Sequence, residues 1–208
     1  MSCNNCEKCS CKKKPKMISV TKVLSETQSW QDREALENWK RRVGEEEANR
    51  ISEESKARGR ELDRNFELLH TTGSCENIGL TKFMLDYKIL ERELELISEH
   101  LMLKGRLDTV VQDKEGNNIL IDFKTSRKKK QRAFIENYFM QVGAYCLLLD
   151  IETDTKIDSA KIVIFIADQF TPQVFRLNRF QLEGYAVKFL ERLEQYRIEQ
   201  NENINSEI

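Results

Sequence analysis

Proline and glycine are scarce in this chain, at two and eight of 208 residues. With so few breakers there is little to interrupt long helices. His70 and His100 are the only histidines, and neither is read as catalytic. No apolar run approaches the length of a membrane span, and no secretory apolar region follows the N-terminus. That N-terminus is not Arg-rich and contains Glu7, which makes a poor transit peptide. The expected setting is therefore cytoplasmic, in a bacterial or phage-infected cell, with no membrane partner. A net charge of −1 gives no global attraction to nucleic acid, so any such contact must come from a local patch.

What is present describes a soluble globular protein. Hydrophobic residues make up 39% and charged residues 33%, in a chain long enough for one domain with a proper core. The stretch that organises it is Gly105–Ser126, GRLDTVVQDKEGNNILIDFKTS. Leu107, Val110, Val111, Ile119, Leu120, Ile121 and Phe123 predict two short strands around a reversal at Glu115-Gly116-Asn117-Asn118. Asp108 falls in the first strand and Asp122 in the second. Lys124, two residues after Asp122, projects from the same face. Asp108 shares that face only if paired residue numbers sum to an even value. A three-residue loop at Glu115-Gly116-Asn117, with Gly116 or Asn117 left-handed, meets this condition.

Two carboxylates held close repel, and one must take up a proton unless a cation sits between them. Hard oxygen ligands suit Mg²⁺, which often binds through one or two carboxylates plus substrate phosphate. A neighbouring lysine can position a water and counter charge on a phosphate. Taken alone, the stretch also fits an exposed hairpin with solvated charges, because D-x-K is common by chance.

The ordered motifs are more specific than any one of them. G-x-x-D at Gly105–Asp108, followed by an apolar strand ending Ile-Asp-Phe-Lys-Thr-Ser, resembles motifs II and III of the PD-(D/E)XK nuclease superfamily. Its RecB-like branch carries Q-x-x-x-Y on the next helix, matched by Gln141 and Tyr145. The nearest likeness is to the mitochondrial genome maintenance exonuclease family, extending to SVTKVLSET, NWKRRVGEE and FLERLEQY, over roughly residues 18 to 197. The resemblance implies a Mg²⁺- or Mn²⁺-dependent exonuclease of DNA replication or repair, acting on DNA with single-stranded character. Asp108, Asp122 and the Phe123 carbonyl would bind metal, Lys124 would orient the attacking water, and Gln141 and Tyr145 would hold substrate or the lysine. In motif I a histidine usually stands four residues after a glycine and ligates metal. Here Gly59 is followed at that place by Asp63, an oxygen ligand equally suited to Mg²⁺, or else a surface residue paired on its helix with Arg60.

The remaining elements are read from periodicity. Ser19 or Thr21 caps a short helix carrying Val20, Val23 and Leu24. Helices follow near 31–43, with Trp30 and Trp39 as core or inter-helix packing, and near 45–69. A loop at Gly73-Ser74 precedes a short helix with Phe83, Met84 and Tyr87, then a strand near 93–101. Glu93, Glu95 and Glu99 compete there for a glutamate that relatives place in that strand. Arg127-Lys128-Lys129-Lys130-Gln131-Arg132 lies just beyond the metal candidates. Lys128, Lys129 and Lys130, with Thr125 and Ser126, are candidates for the phosphate backbone. A buried helix at about 133–149, strands at 160–167 and 173–177, and a helix at about 178–199 complete an α/β fold, a mixed central sheet flanked by helices.

Cys3, Cys6, Cys9 and Cys11 crowd the N-terminus and could hold Zn²⁺ or an iron–sulfur cluster. RecB-like nucleases with such a cluster have one cysteine before the core and three after it, so that pattern does not transfer. The other reading is a tail of reduced thiols. Residues 1–16 are thus expected to form a flexible tail, 17–200 the nuclease domain and 201–208 a disordered end. Two rival functions stand beside the nuclease: an impaired relative that binds DNA without cutting, and a metal or redox sensor built on the cysteines.

Overall fold

The computed structural model describes residues 17–206, with side chains to residue 202; the N-terminal tail with its four cysteines, and residues 207 and 208, lie outside the described residues. The N-terminal part holds β1 (Ile18–Ser19), α1 (Val20–Glu26), α2 (Trp30–Val43), α3 (Glu45–Thr72) and α4 (Ile78–Met84). Strands follow as β2 (Lys88–Arg92), β3 (Glu95–Ser98), β4 (Leu103–Arg106), β5 (Thr109–Gln112) and β6 (Asn118–Ser126). Then come α5 (Glu136–Glu152), β7 (Ser159–Ile166), β8 (Gln173–Asn178) and α6 (Arg179–Ser206).

A five-stranded sheet in the order β2-β5-β6-β7-β8 is antiparallel except between β6 and β7. That one parallel pair needs a crossover, and α5 supplies it. A smaller sheet, β1-β4-β3, stands beside it. The alternation of the strands sorts the core into two layers. Val110, Leu120, Ile162 and Ile164 pack with α1, α5 and α6, whereas Val111, Ile119, Ile121 and Val163 pack with α3 and α4. The expected mixed sheet flanked by helices is the architecture found.

Several expectations need correction. The strand expected at 93–101 shrinks to β3, Glu95–Ser98, and it is broken off by Glu93, whose φ is +48°, from β2, a strand that was not expected. The first strand of the central hairpin is broken as well. β4 pairs in the small sheet and β5 in the large one, leaving Leu107 and Asp108 between them. The loop closes one residue earlier than expected, at Lys114-Glu115-Gly116, with Gly116 at φ +90°. The Asp113 carboxylate causes this by accepting from the amides of Glu115 (3.1 Å) and Asn117 (2.8 Å), which fixes the turn. Trp30 is 63% exposed, and α2, which packs along α3, buries none of its residues, so the expected core role of Trp30 fails. The last helix runs on to Ser206, past the boundary expected at residue 200.

Asn65 ties α3 to the loop before α4. Its Nδ2 donates to the Glu61 carbonyl at 2.9 Å, and its Oδ1 accepts the Asn77 amide at 3.1 Å. Asn77 in turn caps α4 by accepting from Leu80 N at 2.9 Å. Removing a partner of a buried amide costs about 1–3 kcal/mol. Asn65→Ala should therefore lower the thermal midpoint by about 2–4 °C per kcal/mol, with an unchanged far-UV spectrum. A midpoint equal to wild type would show that solvent replaces the bond.

Candidate active site

The site forms where β5 leaves β6. The two strands pair as far as Thr109 opposite Ile121, in a register whose residue numbers sum to 230. Extended by one place, that register sets Asp108 opposite Asp122. The loop expected from sequence, one residue later, would have set Asp108 opposite Lys124 instead. Beyond Ile121 the backbone partner is gone, and the Asp108 side chain takes its place: Oδ2 accepts the Phe123 amide at 2.7 Å. The Phe123 carbonyl points to the same side as its N–H, as in any strand, and so toward this open edge.

Asp122 is 1% exposed, on the layer that faces α5. The Lys124 ammonium reaches back over one residue to its two oxygens at 2.8 and 2.7 Å. It also lies 5.3 Å from the centre of the Tyr138 ring. Burial, then the neighbouring Asp122, pushes the Asp108 carboxyl up to about 7, against Lys124 and the Phe123 amide. Burial likewise raises Asp122, opposed by Lys124. Burial works against the lysine charge, but Asp122 and Asp108 outweigh it and hold Lys124 as an ammonium. Such a lysine cannot serve as a resting general base; it can orient a water and neutralise a phosphate oxygen.

Oxygen donors suited to a hard divalent cation converge here. Asp122 Oδ2 is buried without a well-aligned hydrogen bond. Asp108 engages one oxygen, and the Phe123 carbonyl faces the same edge. Among the described residues no three His, Cys, Asp or Glu side chains form a closed cage. Two carboxylates completed by substrate phosphate and water are what Mg²⁺ ordinarily uses, so these residues fit such an ion. Asp63 lies on α3, open to solvent. Desolvation, then Glu93, raises its carboxyl, and its own charge in turn raises Asp108. No ion pair to Arg60 holds it.

Of the three competing glutamates, Glu93 is bonded to Asp108 through its backbone. Its amide donates to the Asp108 carbonyl at 2.8 Å, and Arg92 and Arg106 hold its carboxylate at 3.6 and 4.0 Å. A left-handed conformation at a non-glycine residue carries strain, and it turns the chain into the site. Glu95 lines a cleft of about 450 Å³ with Asp108, Gln141, Tyr145, Lys104 and Arg106. Glu99 sits in the turn between β3 and β4, where its carbonyl accepts from Met102.

Gln141 and Tyr145 meet as their spacing requires, Nε2 donating to the hydroxyl at 3.0 Å. Burial, with lesser contributions from Asp122 and Asp108, pushes the Tyr145 hydroxyl up to about 12, so it stays protonated. The ring lies against β4 because residue 105 is glycine: a Cβ there would stand 2.6 Å from the ring. This is a physical reason for the glycine of G-x-x-D.

On the other side of Lys124, Thr125, Lys128 and Lys130 line a groove of about 380 Å³ with Arg58, Arg127 and Tyr138. Lys129 is exposed but not part of the lining. Ser126 is committed to the turn: its hydroxyl donates to the Lys128 carbonyl at 2.7 Å and accepts the Lys128 amide at 3.3 Å. Sequence reasoning passed over Arg58 and Tyr138. Arg58 directly precedes Gly59 of motif I. Tyr138 precedes Gln141 by three residues and Tyr145 by seven, the spacing of one helix face.

A sequence model for the PD-(D/E)XK nuclease superfamily matches residues 12–207. No curated protein sequence matches the chain. Among solved structures, the protein SSO0001 is 17% identical, with a TM-score of 0.44, covering 85% of this chain and 75% of its own. An alkaline exonuclease, LHK-Exo of Laribacter hongkongensis, is 13% identical, with a TM-score of 0.41 over 94% and 96%. Its complex with dAMP gives 10%, 0.34, 91% and 95%.

The raised Asp108 carboxyl has a consequence for the metal-free protein. Its folded-state value of about 7 lies above the ordinary 3.8, so folding favours the protonated form. That contribution is complete below the ordinary value and is lost as pH rises through about 7. The thermal midpoint in chelator should fall between about pH 4 and 7, and Asp108→Asn should flatten the fall. Equal pH slopes for the two proteins would show that Asp108 ionises freely.

Proposed function

Because this chain belongs to the PD-(D/E)XK nuclease superfamily, we propose that it hydrolyses DNA phosphodiester bonds, with Mg²⁺ or Mn²⁺ held by Asp108, Asp122 and the Phe123 carbonyl. The observation that carries this is the pair of half-buried Asp108 and buried Asp122 at the open edge of β6, with the Lys124 ammonium seated on Asp122. A divalent ion bound there supplies Lewis-acid polarisation of the phosphate and a more acidic attacking water. Each residue then has a distinct task. Asp122 would be shared between the ion and Lys124, whose ammonium would face the attacking water and a phosphate oxygen. Asp108 keeps the β6 edge open by occupying the Phe123 amide. The Tyr145 hydroxyl, protonated and aligned by Gln141, can donate to a phosphate oxygen at the mouth of the cleft.

Asp63 approaches from α3 as a further oxygen ligand where the resembled family places histidine, with Glu93 beside it. The strand to be cut would follow the groove of Arg58, Thr125, Arg127, Lys128 and Lys130 toward Lys124. Exonucleolytic attack on DNA with single-stranded character is taken from the resemblance to the exonuclease family. A role in DNA replication or repair follows from the same resemblance.

Cleavage should need Mg²⁺ or Mn²⁺ and stop in excess EDTA; full cleavage in EDTA would sink the mechanism. Lys124→Ala should still bind DNA but cut about 10²–10³-fold more slowly, the usual loss for one transition-state donor. Asp63→Ala should need more Mg²⁺ for half-maximal rate, and Asp63→His should recover activity. Superimposable metal titrations of wild type and Asp63→Ala would make Asp63 a surface residue. If wild type binds single strands yet never cuts with either ion, the protein is a binding relative rather than an enzyme.

A further inference from the structure

Phe134 is 79% exposed, at the end of a short 3-10 turn, Arg132–Phe134, that leads into α5. Leaving a phenyl ring in water forgoes the gain of burying it, so its surroundings matter. From Lys124 to Ile135 the chain contains no acidic residue, and Arg127, Lys128, Lys129, Lys130 and Arg132 are all exposed. The other two strongly exposed phenylalanines differ. Phe170, 77% exposed, follows Asp168; Phe180, 82% exposed, follows Arg179, whose guanidinium is occupied by Asp150 and Glu183. Phe134 alone of the three stands in a field of cations.

The segment that displays it is tied down at both ends. Gln173 accepts the Lys130 amide at 2.9 Å and donates to the Lys130 carbonyl at 2.8 Å. The Phe134 amide donates to the Gln131 carbonyl at 3.0 Å, the next residue, Ile135, is 2% exposed, and the Arg132 guanidinium lies 4.4 Å from the centre of the Phe139 ring. A ring held this way loses little freedom when a planar group lies on it. Phe134 is also four residues from Tyr138, whose ring covers the Lys124 ammonium at 5.3 Å. Four residues span at most about 14 Å. The ring is therefore within a few nucleotides of a phosphate placed at Lys124.

We propose that Phe134 is a base-stacking platform for single-stranded DNA, taking an unstacked base of the strand whose phosphates follow the neighbouring basic groove. This rests on the nuclease reading and names what that reading leaves open: how single strands are told from duplex. In a duplex each base face is covered by its neighbour, whereas an unpaired base can move onto the ring, whatever its identity. Phosphate contacts alone carry no such preference.

The test is equilibrium binding by the full chain in excess EDTA, so that the strand is not cut, over a range of salt. The probes are a single-stranded oligonucleotide and an abasic strand of equal length. Phe134→Ala should weaken binding of the base-bearing strand about 5- to 100-fold. The slope of log affinity against log salt should not change, since phosphate contacts persist. Both proteins should bind the abasic strand alike. Phe134→Trp should bind like wild type, and its added indole fluorescence should be quenched by the base-bearing strand only. Lys128→Ala with Lys130→Ala should instead flatten the salt slope on both strands. Equal affinity of wild type and Phe134→Ala for the base-bearing strand would overturn the proposal while leaving the nuclease reading intact. So would an equal loss on the abasic strand, which would mean the ring only shapes the basic segment. A wild-type protein that binds neither strand would overturn the DNA reading and this proposal together.

Discussion

The hydrogen bond from the Phe123 amide to the Asp108 carboxylate is the contact on which the site depends. A strand that loses its neighbour exposes amides and carbonyls that must find other partners. Here a side chain supplies the partner, which lets β5 end at Thr109 and lets the chain cross into the small sheet as β4. The open edge so created lets the Phe123 carbonyl and the Asp108 and Asp122 carboxylates share one space. Had β5 continued in register, its backbone would have filled that space.

That arrangement has an electrostatic cost, and the cost is what makes the site responsive. Asp122 is buried, Asp108 partly so, and both carboxyls are pushed upward, Asp108 to about 7. Lys124 opposes both shifts but is in direct contact with Asp122 alone, two residues away on the same strand. A divalent cation would satisfy both acids. The surroundings reinforce the pattern. Tyr145 closes against Gly105, Tyr138 covers the ammonium, and Glu93 is bent into a left-handed conformation beside Asp108.

Much of this was legible in the residues. The Asp122–Lys124 contact follows from two-residue alternation, and the Gln141–Tyr145 bond follows from the helical turn. Even-sum pairing of the hairpin was read correctly, though its loop was placed one residue late, because the carboxylate of Asp113 was not recognised as the turn's organiser. Long helices followed from the lack of proline and glycine, and α3 was read to within a turn of its end. What failed was wherever one apolar run belonged to two structures. The first hairpin strand read as continuous but is cut at Leu107-Asp108, and the strand expected at 93–101 starts only after a left-handed Glu93, with β2 unforeseen before it. Neither cut is marked by proline or glycine. The irregularity is held by tertiary contacts instead.

The sequence by itself determined the helices, most of the strands, the mixed sheet flanked by helices, and the motif that places Asp108, Asp122, Lys124, Gln141 and Tyr145. All of these depend on spacings of a few residues, for which strand alternation and helical pitch leave little choice. Tertiary structure decided which distant groups meet them. It brought α3 with Arg58 and Asp63 to the edge of β6, set both Glu93 and Glu95 beside Asp108 while Glu99 fell in a turn, and left Phe134 and Trp30 in solvent while it buried Phe139. Those outcomes depend on how helices lie across a sheet and where one strand abandons another. Such relations join residues tens of positions apart, and no local period encodes them.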